Sequence, residues 1–584
     1  MGDTVNKSQI VSTFLTDYND YSSEDDFDYS LANEDESLKK ALVASKQILN
    51  LFYLNRFDEA FAKAERNAHN SLYHSYMKSS LISLYALLTL EKNEIDKAKS
   101  ALERTCEFCN KKRRSNSFLE NFSSVFRPTD FGRYSDYELH AEIIHAESQV
   151  LMALITFFGD QNLFSIIRAA FLVRAANQSF KFCYEAFRNK KTWISTEILL
   201  EYESGVSFGI GVFNLYLSIL PDRILRILSL AGFSSDYKRA ITMLKRTIEL
   251  KECLRFRFSA ICVKAFYLYV IQIGGLCYFD YEWIEEILNE LRSKFPKAIF
   301  VQIFSAKFNL MNGDLDKAIE EFNHCIVMEG SWVQIKNICR WDLMWAFAIN
   351  EDWKNAAVQA KHLLDECSYS PASNAYQVAM FKMMQGEDEQ NDELKAEAFD
   401  MLKKVVNLRR RYVGKTIPQE KFFCNHSVRY KEEGIEPLAA LLEMFYIWNV
   451  LSLINNKIAV DSFIHRINKK SDELERRDQN FSEQLACLLL AKGVILRNLN
   501  NFEGATECLT KIIQSEKQIT RDIYLTPHAA LELGITYFKS SNYVESRKWL
   551  QKAKKNEKKF LNEANLHIRI HSFLKKIDEI EKGF

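Results

Sequence analysis

Asn500-Asn501-Phe502-Glu503-Gly504-Ala505 decides the fold of this chain of 584 residues. An Asn placed just ahead of a helix accepts from the free N–H groups of its first turn. The bulky residue that follows closes the turn, and the alanine three positions later lets a second helix approach closely. Gly493 lies twelve residues before Ala505, where a small residue would face it. The reading is two helices in contact across a tight turn.

The signature recurs along the chain as Asn55 to Ala60, Asn93 to Ala98, Ser235 to Ala240, Gly313 to Ala318 and Glu351 to Ala356, and once more as Ser541 to Ser546 with Ser in place of Ala. Its alanines are spaced 38 residues apart from 60 to 98 and from 318 to 356, and 41 separate Ala505 from Ser546. Gly534 precedes Ser546 by the same twelve residues, with Tyr537 after it. This is the tetratricopeptide arrangement of small, aromatic and alanine positions, on a period longer than the usual ~34. The expected fold is all-α, a superhelical stack of tetratricopeptide-like hairpins, or α-solenoid, of about a dozen and a half to two dozen helices.

Composition agrees. Seven prolines and 18 glycines are too few to interrupt many helices, and 47% hydrophobic residues supply a large core. Lys plus Arg and Asp plus Glu both number 77, so no net field draws the chain to nucleic acid or anionic lipid. Twelve scattered cysteines fit free, buried thiols in a reducing cytoplasm, with nuclear access left open. Met1-Gly2-Asp3-Thr4 shows no basic start to an apolar run, so no secretory leader is expected, and Asn6 breaks the myristoylation pattern.

From Asp17 to Glu36 nine acidic residues stand without a Lys or Arg, so residues 1–37 read as a disordered acidic tail. Residues 38–300 read as an N-terminal helical-repeat region with an exposed loop at 110–136. Residues 301–584 read as a C-terminal tetratricopeptide-like region, with a polar break from Gln385 to Gln390. Gly205 to Leu220 and Ala260 to Tyr278 are apolar, but one is short and the other carries Lys264, so both read as buried helices.

Motifs that suggest chemistry fail on spacing. Cys106-Glu107-Phe108-Cys109 has no second ligand pair and reads as structural cysteine. His140 and His145 are five apart, about 140° around a helix, and cannot share one ion from one face. Gly414-Lys415-Thr416 lacks the earlier glycine of a phosphate loop, since Arg409 stands there, and Pro418 is expected to bar the helix that should follow. Lys111 to Arg114 reads as a solvated loop, and Arg409 to Arg411 as a polar helix face. Leu220 to Phe233, with Arg223 and Arg226 beside Ile224, Ile227 and Leu228, reads as an amphipathic helix packing its apolar stripe into the array. No catalytic residue, cofactor or metal ligand is assigned.

One stretch carries a resemblance. Gly205, Gly209 and Gly211 punctuate an apolar helix that runs into Phe213-Asn214, followed by Ile219-Leu220-Pro221 and Gly232-Phe233-Ser234-Ser235-Asp236. In this the chain resembles the tetratricopeptide repeat protein 39 family, whose fungal relatives are called inclusion body clearance proteins; Ser235 stands where the family has Gly. Further matches are Trp341 and Trp345 with Trp353, the run from Gly414-Lys415 through Pro418 to Phe422, and Leu442 to Asn449 with Trp448. Lys492-Gly493, Asp522 to Pro527 and His567 to His571 with Arg569 continue the order, and the matches cover roughly residues 39 to 578.

The resemblance implies a non-catalytic scaffold that binds other proteins, in a family linked to protein turnover, lipid handling and cilium assembly. A concave repeat surface is the expected contact, with peripheral membrane or lipid contact left open and oligomeric state unassigned. The alternative is a lipid or small-ligand binder with its pocket at 205–233. An enzyme is not expected, because no triad of charged groups appears within an apolar segment.

Overall fold

The computed structural model describes residues 27–114, 130–159, 163–219, 236–328, 332–367, 369–410, 417–434, 436–477, 482–555 and 560–582. Among these, every regular element is helical and no strand occurs. Helices pair with their sequence neighbours as antiparallel hairpins, and the all-α stack expected from the repeats is the fold observed.

The six-residue signature is a backbone device. Its first residue takes the left-handed conformation at Asn55, Gly313, Glu351, Asn500 and Ser541, with φ from 57° to 81°. That reverses the chain at the end of one helix, and the second residue then caps the next. Asp314, Asp352, Asn501 and Asn542 accept from the N–H three residues on, at Lys317, Asn355, Gly504 and Glu545. Asp236 does the same for Arg239 at 3.0 Å. The residue at the sixth position is fully buried in all seven copies, Ser546 included.

Two copies depart from the expected cap. Arg56 holds the cap position of Phe57–Arg66 without a side-chain bond, because a guanidinium has no acceptor for a helix N–H; the neighbouring Asn55 accepts from Ile299 N and donates to Lys297 O. At the second copy the helix Lys92–Lys112 starts before Asn93, so that Asn lies inside it.

The chain divides into two compact units, one of residues 1–52, 56–210 and 245–257 and the other of 53–55, 211–244 and 258–584. In the first, Glu34–Tyr53 opens the described structure, and its acidic first turn suits the positive end of a helix dipole. Tyr29, ahead of it, is buried against His74; of the segment expected as a tail at 1–37, residues 1–26 lie outside the described residues. Leu72–Thr89 pairs with Lys92–Lys112, and Asp136–Gly159 with Leu163–Asn189. Ala86, Ile95, Ala98, Leu102, Met152 and Ile155 form a core where these helices meet.

Of the region expected as a loop at 110–136, Lys92–Lys112 takes in the first three residues and Phe131–Arg133 forms a short 3-10 turn, while residues 115–129 lie outside the described residues. Within the basic run, Arg113 lies against Glu142 at 3.2 Å and His145 at 3.1 Å, so it is an internal ion-pair partner and not part of a solvated loop.

The second unit contains the hairpins Ile299–Met311 with Leu315–Val327, Val333–Ile349 with Trp353–Glu366, Pro371–Asp388 with Asp392–Val405, Glu483–Asn498 with Phe502–Gln514, and Leu525–Lys539 with Tyr543–Lys554. The break expected at Gln385–Gln390 is mostly the end of Pro371–Asp388. A further turn follows it, with Gln390 left-handed at φ 52° and Asn391 capping through Glu393 N and Leu394 N. Pro418–Glu433, Pro437–Ile447 and Lys457–Arg477 fill the interval that lacks the signature.

Pro418 is the first residue of its helix. The expectation that it bars a helix is therefore corrected: a proline is tolerated in the first turn, where its missing N–H would have no partner. Arg409 and Arg410 follow the short Val406–Leu408 turn and are not on a helix face.

By length and composition Leu254–Gly274 could cross a membrane, but more than half of its most apolar window (56%) is buried inside the protein. Arg255 and Lys264, both fully buried, sit within that stretch.

Candidate functional site

The glycine-rich helix is Thr196–Leu217, and its glycines are contact points. A β-carbon on Gly209 would lie 2.0 Å from Cε1 of Phe180, and one on Gly205 would lie 3.0 Å from Ile143. One on Gly211 would meet Leu244 Cγ at 2.7 Å. Neighbouring side chains thus occupy the space over all three, which leaves no room for a ligand against them.

Gly493 and Gly534 meet Leu509 and Leu550 in the same way, at 2.9 and 2.8 Å, each leucine four residues beyond the buried Ala505 or Ser546. Leu244 stands four beyond Ala240, so Gly211 is the small position of the Ser235–Ala240 repeat, separated from it by a longer connection. Asn214 helps hold that connection, accepting from Asp236 N at 3.3 Å, and Phe213 is buried. Pro221, Gly232, Phe233 and the amphipathic stretch around them lie outside the described residues, as do Gly414, Lys415 and Thr416.

The remaining resemblance residues make core contacts. Trp341 lies edge-on to Trp345 at 5.4 Å and to Trp448 at 4.9 Å. Arg569 pairs with the buried Glu532 at 2.7 Å, and Arg497 with its other oxygen at 2.6 Å. Tyr446 donates to Glu532 at 2.9 Å and also meets His528 at 2.8 Å. Burial pushes the Glu532 carboxyl up, but Arg569 and Arg497 outweigh it and bring it to about 2. His571 is half-buried.

A cleft of about 500 Å³ opens nearby in the same unit. Its apolar wall is Phe422, Ile523, Tyr524, Phe560 and Leu561, and its basic side is Lys421, Arg429 and Arg521. His426, on Pro418–Glu433, is buried in its wall, and its ring stacks on Phe422 at 3.9 Å. His426 Nδ1 lies 3.0 Å from Phe422 O, and because a carbonyl can only accept, that nitrogen carries the proton. Nε2 then faces Glu443 Oε1 at 3.3 Å and Asp522 Oδ1 at 3.4 Å.

The two carboxylates are themselves held. Tyr524 donates to Glu443 Oε1, Tyr430 to Oε2 at 3.0 Å, and Arg429 to Asp522 Oδ1 at 2.7 Å. Burial pushes His426 down, but Glu443 and Asp522 more than offset it and hold the ring at about 10. Asp522, raised by burial, is brought to about 2 by His426 and Arg429.

Among the described residues, no charged triad lies within a single apolar segment; this cluster draws its members from three separate elements. Glu443 is a lone acid in the apolar helix Pro437–Ile447, and its partners arrive from a separate helix and from the turn before Leu525–Lys539. A solitary carboxylate in an apolar helix was the signal in the sequence; the identity of its partners depended on tertiary contacts. Other titratable groups are closed off. Cys106 and Cys109 lie in Lys92–Lys112, and burial pushes both thiols up, Cys106 to about 11. His140 meets Tyr73 and His145 meets Arg113, so the two rings serve different contacts.

The family model for Iml2/Tetratricopeptide repeat protein 39 matches residues 46–499. The chain is 27% identical over 564 residues to tetratricopeptide repeat protein ttc-39B of Caenorhabditis elegans, covering 96% of each. Among solved structures it is similar to a chain of the APC/C hetero-tetramer Cut9-Hcn1 at 12% identity and a TM-score of 0.25, covering 93% of this chain and 97% of that one. Yeast Tom70 is similar at 12% identity and a TM-score of 0.23, covering 94% of this chain and 97% of that one.

Proposed function

Because the chain belongs to the Iml2/Tetratricopeptide repeat protein 39 family, we propose that it is a non-catalytic adaptor of the cytoplasm whose helical repeats hold a segment of another protein. The cleft beside His426 carries this reading. An aromatic and aliphatic wall next to Lys421, Arg429 and Arg521 suits a segment that places an apolar side chain beside an acidic one. Protein turnover, lipid handling and cilium assembly are the settings that the family suggests for such an adaptor.

The absence of catalysis is part of the proposal. It is supported by the state of the buried groups: thiols are pushed up and away from the reactive thiolate form, and the ionised acids are engaged by arginine, histidine or tyrosine. The lipid-binding alternative at 205–233 gains no support from the described part of that stretch, where Phe180, Ile143 and Leu244 fill the space above the glycines.

Proximity labelling and co-purification with the full chain test the adaptor reading. A reproducible set of partner proteins is expected. Lys421 and Arg521 are exposed, so the double variant K421E/R521E should keep the fold and lose one or more of those partners. A chain that persists as a partner-free monomer would count against the adaptor, and a partner set unchanged by the charge reversal would remove the cleft as its contact.

A further inference from the structure

We propose that His426, Glu443 and Asp522 form a binding site for one divalent transition-metal ion, zinc by chemical fit, in the wall of the cleft. The proposal goes beyond the adaptor reading and stands whether or not the cleft takes a partner.

Four observations carry it. First, the potential ligand atoms converge: one imidazole nitrogen and two carboxylate oxygens lie within 4.8 Å of one another, on three buried residues. Second, the His426 side chain is only 8% exposed, and its Nε2, though 3.3 and 3.4 Å from Glu443 and Asp522, makes no hydrogen bond of ordinary geometry with either. A proton on Nε2 would be attracted to both oxygens, but neither is placed for an ordinary hydrogen bond. A lone pair there would face two anions. An ion bound to all three atoms would take the place of the proton on Nε2, which is released to solvent, and satisfy nitrogen and oxygens together.

Third, the spacing fits. Zinc bonds of about 2.0–2.2 Å make the edges of a tetrahedron about 3.3–3.6 Å, whereas adjacent ligands of an octahedral magnesium ion are about 3 Å apart. The two nitrogen-to-oxygen separations are 3.3 and 3.4 Å, and all three atoms lie within 4.8 Å of one another. A nitrogen ligand also argues against calcium, which takes oxygen.

Fourth, the surroundings have the form of a supporting shell. Nδ1 of a metal-bound histidine usually donates to a carbonyl or carboxylate, which fixes the ring, and ligating carboxylates are hydrogen-bonded in turn. Here Nδ1 donates to Phe422 O at 3.0 Å, Tyr430 and Tyr524 hold Glu443, and Arg429 holds Asp522. Each ligating oxygen keeps a second lone pair for the ion. His426 and Asp522 both line the cleft, which supplies a path of entry and room for a fourth ligand from solvent.

The site would join the helix of His426, the helix of Glu443 and the turn at Asp522.

The test uses the full chain carrying a tag that does not bind metal. After chelator treatment it is titrated with Zn²⁺, with Mg²⁺ and Ca²⁺ as comparisons, by calorimetry, and the zinc-loaded protein is measured by X-ray absorption at the zinc edge. One zinc per chain is expected, with one imidazole and only nitrogen or oxygen ligands at about 2.0 Å. E443Q and D522N should each weaken zinc binding on the order of 100-fold, and Y430F on the order of 10-fold, with helical circular dichroism unchanged. Absence of a stoichiometric zinc site in the folded wild-type chain would overturn the proposal. So would sulfur ligands in the absorption spectrum, or variants that bind as tightly as wild type. Should a variant fail to fold, the wild-type spectrum still decides.

Discussion

At Gly209 one hydrogen atom sets the distance between two helices. The Phe180 ring occupies the volume where any side chain would begin, and both residues lie in the same unit. Gly209→Leu therefore forces the ring out of its place or the helices apart, at a cost of about 1–3 kcal/mol. Chemical denaturation should show this as a lower transition midpoint for the unit that holds both residues, and an unchanged midpoint would mean that the ring has a second place to go. Density of glycine in an apolar segment made this close approach legible from sequence. The partner, Phe180, was not, because nothing in the local pattern says which ring a glycine will meet.

Among the elements, the hairpin turn was the most legible part of the chain. A left-handed residue, a capping Asn or Asp, a bulky residue and a buried alanine are all local requirements, so they recur in the sequence as a phrase. Removing one should have a local effect. Asn501→Ala deletes the bond to Gly504 N at 3.0 Å and should cost about 1 kcal/mol. Hydrogen exchange should show the loss in the first turn of Phe502–Gln514, and protection unchanged there would show that solvent replaces the cap at no cost. Where the signature is absent, legibility falls. The turn at Gln390-Asn391 was hidden because its buried Ala398 stands seven residues after the cap, not four. The His426–Glu443–Asp522 cluster was hidden for a stronger reason. Its members are about 17 and 79 positions apart in sequence, and only the folded arrangement brings them together, although all three lie within or close to segments that carried the family resemblance.

For the whole molecule, the sequence indicated a neutral chain of stacked hairpins, and the structure adds that its interior is polar at many points. That interior dictates a pH response. Burial holds four histidines neutral, His74 at about 4 and His140, His145 and His528 at about 3, against an ordinary 6.5. In the unfolded chain the same rings take up protons as pH falls through 6.5, while in the fold they do so only near 3–4. At these four rings the unfolded state then binds more protons throughout that window, so they lower stability as pH falls, and they outnumber His426, whose raised value acts the opposite way. Glu532 acts in the same direction at lower pH, because the fold keeps it ionised to about 2 while the unfolded chain protonates it near 4.5. Both contributions are intact at pH 7.5. Urea unfolding at pH 7.5, 6.0 and 5.0 should therefore show midpoints that fall steadily, beginning above the range where carboxylates titrate. His74, His140 and His145 belong to the first unit and His528 to the second, so any separate transitions should both shift. Midpoints that stay level between pH 7.5 and 5.0 would mean that the rings are protonated or solvated in the fold, contrary to the packing described.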